Sequence, residues 1–167
     1  GIGYDVDGNH SEQYKKYWPA DLHLIGKDIL RFHTIYWPIF LMAMGEPLPK
    51  QVFGHPWLLQ GEGKMSKSKG NVIDPLDVIN SGYGADTLRT YELFIGPYNL
   101  DAAWSTEAIG GVYRFLNRCY TLTFDKDYNK DDKNLVIRNE TIKKVTEDMH
   151  RNYFNTAVAA MMEYVNE

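Results

Sequence analysis

The chain has 167 residues with 18 Lys and Arg against 22 Asp and Glu, a formal net charge of −4 at pH 7. That balance excludes a protein that holds nucleic acid by bulk positive charge, but it leaves room for a local basic loop on an acidic body. A hydrophobic content of 44% excludes wholesale disorder, and the single Cys119 excludes a disulfide framework or a cysteine metal site and suits a reducing compartment.

In chain order, residues 5–16 are polar and read as a loop entering a short helix. Leu22, Leu24 and Ile25 form a short apolar run ending at Gly26, which predicts a buried strand. From Lys27 onward Ile29, Phe32, His33, Tyr36, Trp37, Phe40 and Leu41 recur at helical spacing. Asp28 suits the first turn of that helix, Gly45 its stop, and Pro38 predicts a kink. Residues 51–59 (QVFGHPWLL) then read as a second strand parallel to the first, completing a βαβ unit. Beyond the Lys/Ser/Gly stretch, helices are predicted on either side of Gly82 and Gly84, from Ser105 (as N-cap) to Phe124, and in two amphipathic segments at 141–152 and 155–167. Residues 125–134 read as a charged surface loop. The fold class is therefore α/β, the second half of a Rossmann-like nucleotide-binding fold followed by a mostly helical segment. The chain opens at Gly1 without an initiator Met and ends inside a helical pattern, so it reads as a piece of a longer protein. No apolar run is long enough to span a membrane as a helix.

Two stretches carry chemistry. The Gly26-Lys27-Asp28 turn between strand and helix is expected at the carboxyl edge of the parallel sheet, where open α/β sheets bind ligands. The second strand is expected to deliver the stretch EGKMSKSKGN (62–71) to the same edge as an open loop. Lys64 and Lys67 suit a polyphosphate, Ser66 and Ser68 add donors, and Gly61, Gly63 and Gly70 would let the loop close. The spacing of a Walker A loop is absent.

The string KMSKS at 64–68, preceded by the Gly-Lys-Asp turn and a histidine-bearing strand, resembles the second signature of class I aminoacyl-tRNA synthetases. Residues 1–72 resemble the methionyl branch of that family and residues 82–167 the leucyl branch. The resemblance implies three segments: 1–72 as the C-terminal half of the catalytic nucleotide fold, 73–112 as a stem-contact-like connection, and 113–167 as the start of an anticodon-binding-type helical bundle. It implies amino-acid activation with ATP, accompanied by Mg2+, and ligation to tRNA, with methionine favoured over leucine and a cytoplasmic location. Lys64 and Lys67, assisted by Ser66 and Ser68, would stabilise the pyrophosphate. Gly26, Asp28, His55, Leu58 and Leu59 would lie against ATP, although Pro56 stands where the family has a glycine and offers no N–H. Ile29, His33 and Trp37, spaced to share one helix face, would line the amino-acid pocket; a core face with one satisfied histidine is the simpler rival. No metal site is expected. The first family signature, HIGH, is not in this sequence, so the chain alone is expected to be inactive.

Two other classes stay open at this level. One is a non-catalytic tRNA-binding module, for which Arg114 and Arg118 are candidate phosphate contacts and a solvated helix face the competing reading. The other is a nucleotidyl transferase of a related kind. Asp86 and Arg89 read as a tRNA-stem or loop-anchoring contact or, at least as well, as a helix surface pair; Trp104 reads as a core anchor, and His10, His23 and His150 show no partner pattern.

Overall fold

The computed structural model describes residues 1–61, 63–124 and 135–167. The predicted charged loop at 125–134 lies outside them. Two compact units result, Gly1–Pro56 and Trp57–Glu167.

In the first unit Ser11 caps α1 (Glu12–Tyr17), its hydroxyl accepting from the Tyr14 N–H. Strands β1 (His23–Gly26) and β2 (Val52–His55) pair in parallel from His23 opposite Val52 to Gly26 opposite His55. Their crossover runs through a 3-10 turn at Lys27–Ile29, a π-helical turn at Phe32–Tyr36 and α2 (Trp37–Met44). At Pro38, where the sequence predicts a kink, the irregularity is this upstream π turn: the Trp37 N–H reaches back five residues to the Phe32 carbonyl. Proline has no N–H to give, so the ladder widens just before it. Gly45 closes α2 in the left-handed conformation, φ 72°. A Cβ on Gly54 would stand 3.4 Å from Leu30 and 3.7 Å from the Lys27 backbone, so glycine there lets the crossover lie close on β2.

Two expectations need correction. The first strand is not a wholly buried run. Ile25 is buried, but alternation places Leu22 and Leu24 on the other face, which is exposed. Residues 51–59 are not one strand either. They break at His55-Pro56 into β2 and β3 (Leu58–Gln60), which belong to different sheets. Pro56 cannot donate to a ladder and its fixed φ turns the chain.

The second unit holds a small sheet in the order β4–β3–β5, with β4 at Gly63–Lys64 and β5 at Ala102–Ala103. Strands β3 and β4 are antiparallel, and β3 and β5 are parallel. Helices follow: α3 (Pro75–Val78), α4 (Gly84–Phe94), α5 (Thr106–Phe124), α6 (Leu135–His150) and α7 (Phe154–Asn166). Asp74 caps α3 by accepting from the Leu76 N–H, and Pro75 occupies its first turn. Gly82, at φ 102°, forms the break between α3 and α4 that its position predicts. The core is Val78, Leu88, Tyr91, Ile109 and Val112, joined at its edge by Trp104, Leu116 and Met162. The α6–α7 turn is tied by Asp148, whose carboxylate accepts from Lys144 and Thr156. Those bonds hold the Asp148 carboxyl below its ordinary range.

Candidate functional site

The lysine motif is not the open, glycine-hinged loop that its composition suggests. Lys64 lies in β4, opposite Leu59, and the Met65 N–H donates to the Leu58 carbonyl. Residues Lys67–Lys69 form a 3-10 turn closed by Gly70 at φ 66°. Asn71 fastens the turn to the hairpin. Its Oδ1 accepts from the Ser66 N–H at 2.9 Å, and its Nδ2 donates to the Lys64 carbonyl at 3.2 Å and the Gln60 carbonyl at 3.4 Å. The Ser66 and Ser68 hydroxyls pair with each other at 2.9 Å. The side chains of Lys64, Lys67 and Ser68 are exposed and Ser66 is half-buried. The two motif lysines differ in kind. Lys67 projects from a turn, whereas the Lys64 ammonium lies 4.2 Å from the centre of the Trp57 ring. Leu58 and Leu59 are half-buried in β3 of this same unit.

In the first unit the Gly-Lys-Asp turn follows β1. A Cβ on Gly26 would stand 3.9 Å from the His55 ring and 4.0 Å from the Asp28 carboxylate, so the structure brings Gly26, Asp28 and His55 together. Asp28 is exposed at the start of its 3-10 turn. The His55 Nδ1 lies 2.9 Å from the Pro56 carbonyl, so the proline position contributes its oxygen where its N–H is missing.

Ile29, His33 and Trp37 fall in three successive kinds of helical turn. His33 Nδ1 is 3.0 Å from the Ile29 carbonyl. A carbonyl only accepts, so Nδ1 is the donor in this contact. The His33 ring meets the His23 ring edge-on with centroids 6.0 Å apart, and Trp37 meets Trp18 at 6.1 Å. Trp18 in turn packs 6.2 Å from His23. The indole nitrogens of Trp18 and Trp37 are buried without a hydrogen-bond partner among the described residues. Burial first, and His33 second, push the His23 imidazole below its usual range.

His10 and His23 correct the expectation that they lack partners. His10 Nδ1 accepts from the Asp5 N–H, and its Nε2 stands 3.5 Å from Glu46. Tyr14 donates to the same Glu46 carboxylate at 2.6 Å. Burial, then the bond to Glu46, push the Tyr14 phenol up to about 12. A raised acid pKa means that the bonded, neutral form stabilises the fold below pH 10 and that this support is lost as pH rises from about 10 to about 12. The first unit is therefore expected to loosen over that interval, and Tyr14→Phe to flatten the dependence, read as alkaline unfolding followed by circular dichroism.

Sequence spacing alone does not point to Trp57, Asn71, Trp18 or His23. Trp57 and Asn71 act through register and turn geometry, which become visible only once β3 and β4 are paired. Asp86 and Arg89 do form an exposed surface pair at 3.8 Å. Trp104 packs edge-on against Tyr91 at 5.1 Å, the anchor its position suggests. Arg114 and Arg118 lie beside a hollow of about 420 Å³ between α5 and α7, and Arg118 donates to Asn166. Among the described residues no group of three or more His, Cys, Asp or Glu side chains is placed to hold a metal ion.

The family model described as tRNA synthetases class I (M) matches residues 3–112. The chain belongs to the class I tRNA synthetases. A methionine–tRNA ligase of Halalkalibacterium halodurans is 42% identical over 99% of this chain, which spans 28% of that relative. The chain thus covers well under half the length of the curated relatives it matches. A methionyl-tRNA synthetase of Mycobacterium tuberculosis bound by methionyl-adenylate superimposes with a TM-score of 0.73 at 30% identity, over 99% of this chain and 35% of that one. A LeuRS of Agrobacterium radiobacter, in a ternary complex with tRNA and LeuAMS, gives 0.73 at 28% identity over 93% of this chain and 23% of that one. Both branches named from the sequence therefore appear among this synthetase's relatives, and the methionyl likeness runs through both parts of the chain. The fold is a mixed α/β one, mostly helical with small sheets.

Proposed function

We propose that this chain is the KMSKS-bearing portion of a methionine–tRNA ligase, the enzyme that joins methionine to ATP as an adenylate and passes it to tRNA. The carrying observation is the likeness to methionine–tRNA ligases over 99% of the chain, with an exposed lysine turn at the family motif. In the first step a methionine carboxylate oxygen bonds to the α-phosphorus of ATP while the bond to the β-phosphate oxygen breaks. Negative charge builds on the departing pyrophosphate. Lys67, presented by its 3-10 turn, and Lys64 stabilise that charge, with Ser66 and Ser68 as further donors. Within the first unit Gly26, Asp28 and His55 are the groups we assign to the nucleotide, and within the second the backbone of Leu58 and Leu59. Ile29, His33 and Trp37 hold the methionine side chain, where an aromatic wall suits a polarizable thioether. Mg2+ would accompany the nucleotide and supply further positive charge to the phosphates.

The parallel β1–β2 pair and its crossover support reading residues 1–72 as the second half of a Rossmann-like domain. Residues 73–112 then serve as the connecting segment and 113–167 as the start of the bundle that meets tRNA. Use of tRNA in translation places the protein in the cytoplasm. The test is ATP–pyrophosphate exchange by the full-length protein with methionine or leucine as the only amino acid. Methionine is expected to support exchange at least tenfold better than leucine. A preference for leucine transfers the assignment to the leucyl branch. Exchange with neither, together with tight tRNA binding, makes the chain part of a binding module.

A further inference from the structure

Lys64 and Trp57 meet because of strand register. Lys64 stands opposite Leu59 in the antiparallel β3–β4 pair. Trp57 lies just before β3, two residues ahead of Leu59, and its carbonyl accepts from Ala102 of β5; with side chains alternating along the extended chain, it is the diagonal neighbour of Lys64. Diagonal neighbours lie within reach of aromatic and long side chains, and here the ammonium is 4.2 Å from the ring centre, well inside cation–π range. The platform is itself fixed from both sides. The Trp57 N–H donates to the Asp101 carboxylate at 2.8 Å, and the Trp57 carbonyl accepts from the Ala102 N–H at 3.1 Å. On the other partner, Asn71 holds the Lys64 carbonyl. The backbones at both ends of the contact are thus placed by hydrogen bonds.

We propose that Trp57 is a positioning residue for Lys64: its indole face holds the ammonium, so the hairpin sets this charge in place before a nucleotide arrives. The proposal rests on the reading of the motif as an ATP-polyphosphate site. An ammonium has three N–H donors. The ring occupies one side of it and leaves the outward donors for phosphate oxygens. A lysine stem loses much rotamer freedom when it is fixed, and pre-setting it lowers that cost at the moment of binding. Lys67 lies in the 3-10 turn, outside this ladder, and is set separately.

The test is a double-mutant cycle in the full-length protein, read as kcat/KM for ATP in pyrophosphate exchange. Trp57→Leu is expected to lower it roughly threefold to tenfold, and Trp57→Phe, which keeps an aromatic face, to recover most of that loss. In a Lys64→Ala background Trp57→Leu is expected to have no further effect. Equal losses in both backgrounds, no loss, or a gain in rate overturns the positioning role. A catalysis-free readout separates the two readings. With 5-fluorotryptophan at position 57, Lys64→Ala is expected to shift the fluorine resonance. An unshifted resonance overturns the contact. A shifted resonance in a wild-type protein that supports no exchange overturns the ATP-site reading, and the catalytic role of the contact with it.

Discussion

Lys67→Ala in the full-length protein is expected to slow methionine-dependent ATP–pyrophosphate exchange by on the order of 10²-fold or more, with a much smaller change in the KM for methionine. The reason lies in where charge develops. Methionine enters as a neutral side chain on a zwitterion and does not need Lys67 to bind. The pyrophosphate gains negative charge only as its bond to the α-phosphorus breaks, so a cation aimed there acts more on the transition state than on the ground state. Lys67 is exposed on a turn whose ends are closed by Gly70 and the side chain of Asn71. Its backbone is therefore placed while its ammonium stays available to a ligand. Lys67→Arg keeps the charge but widens and flattens the donor, and it is expected to restore only part of the rate. Stopped-flow measurement of adenylate formation distinguishes this from slowed product release. An unchanged rate of that step in Lys67→Ala removes the lysine from the chemistry.

How much of this was legible beforehand depends on which force set each feature. The parallel pairing of His23–Gly26 with Val52–His55 follows from apolar runs separated by a helical pattern, and such patterns are written in the sequence. The Gly45 stop, the Gly82 break and the Ser105 start belong to the same local class. The single strand across 51–59 failed because Pro56 outweighed the apolar run on both sides of it. The lysine stretch failed differently. Its composition is that of a solvated loop, but Asn71 supplies the three bonds that fold it into a hairpin and turn. That depends on one amide side chain meeting backbone groups five to eleven residues away, and no periodicity encodes it. The assignment of Ile29, His33 and Trp37 to an amino-acid pocket rests on family likeness. Their supports, Trp18 and His23, come from a different stretch of chain and were visible only as ring contacts.

Tyr91→Ala is expected to be the most damaging single change in the second unit, at about 3–5 kcal/mol of unfolding free energy. Tyr91 is 1% exposed at the centre of a core with Val78, Leu88, Ile109 and Val112. Removing its ring opens a cavity that small neighbours cannot fill, and it strips the edge-on partner from Trp104. The hydroxyl has a separate task. It accepts from the Ser105 N–H at 2.9 Å, at the start of α5. Tyr91→Phe keeps the ring and loses that acceptor, leaving a part-buried N–H unpaired, and is expected to cost about 1–3 kcal/mol. The consequence extends to the lysine motif. The Trp104 N–H donates to the Leu59 carbonyl and the Ala102 N–H to the Trp57 carbonyl, so the segment that Tyr91 anchors is the one on which β3 hangs. Strand β3 carries β4, and β4 carries Lys64. Tyr91→Ala should therefore lower the urea midpoint and also speed tryptic cleavage at Lys64, Lys67 and Lys69 under native conditions. Tyr91→Phe should lower the midpoint less and leave the cleavage pattern close to that of the wild type. If Tyr91→Ala destabilises the unit while those three sites stay protected, the core and the lysine hairpin are independent, and the bonds from β5 to β3 do not transmit the loss.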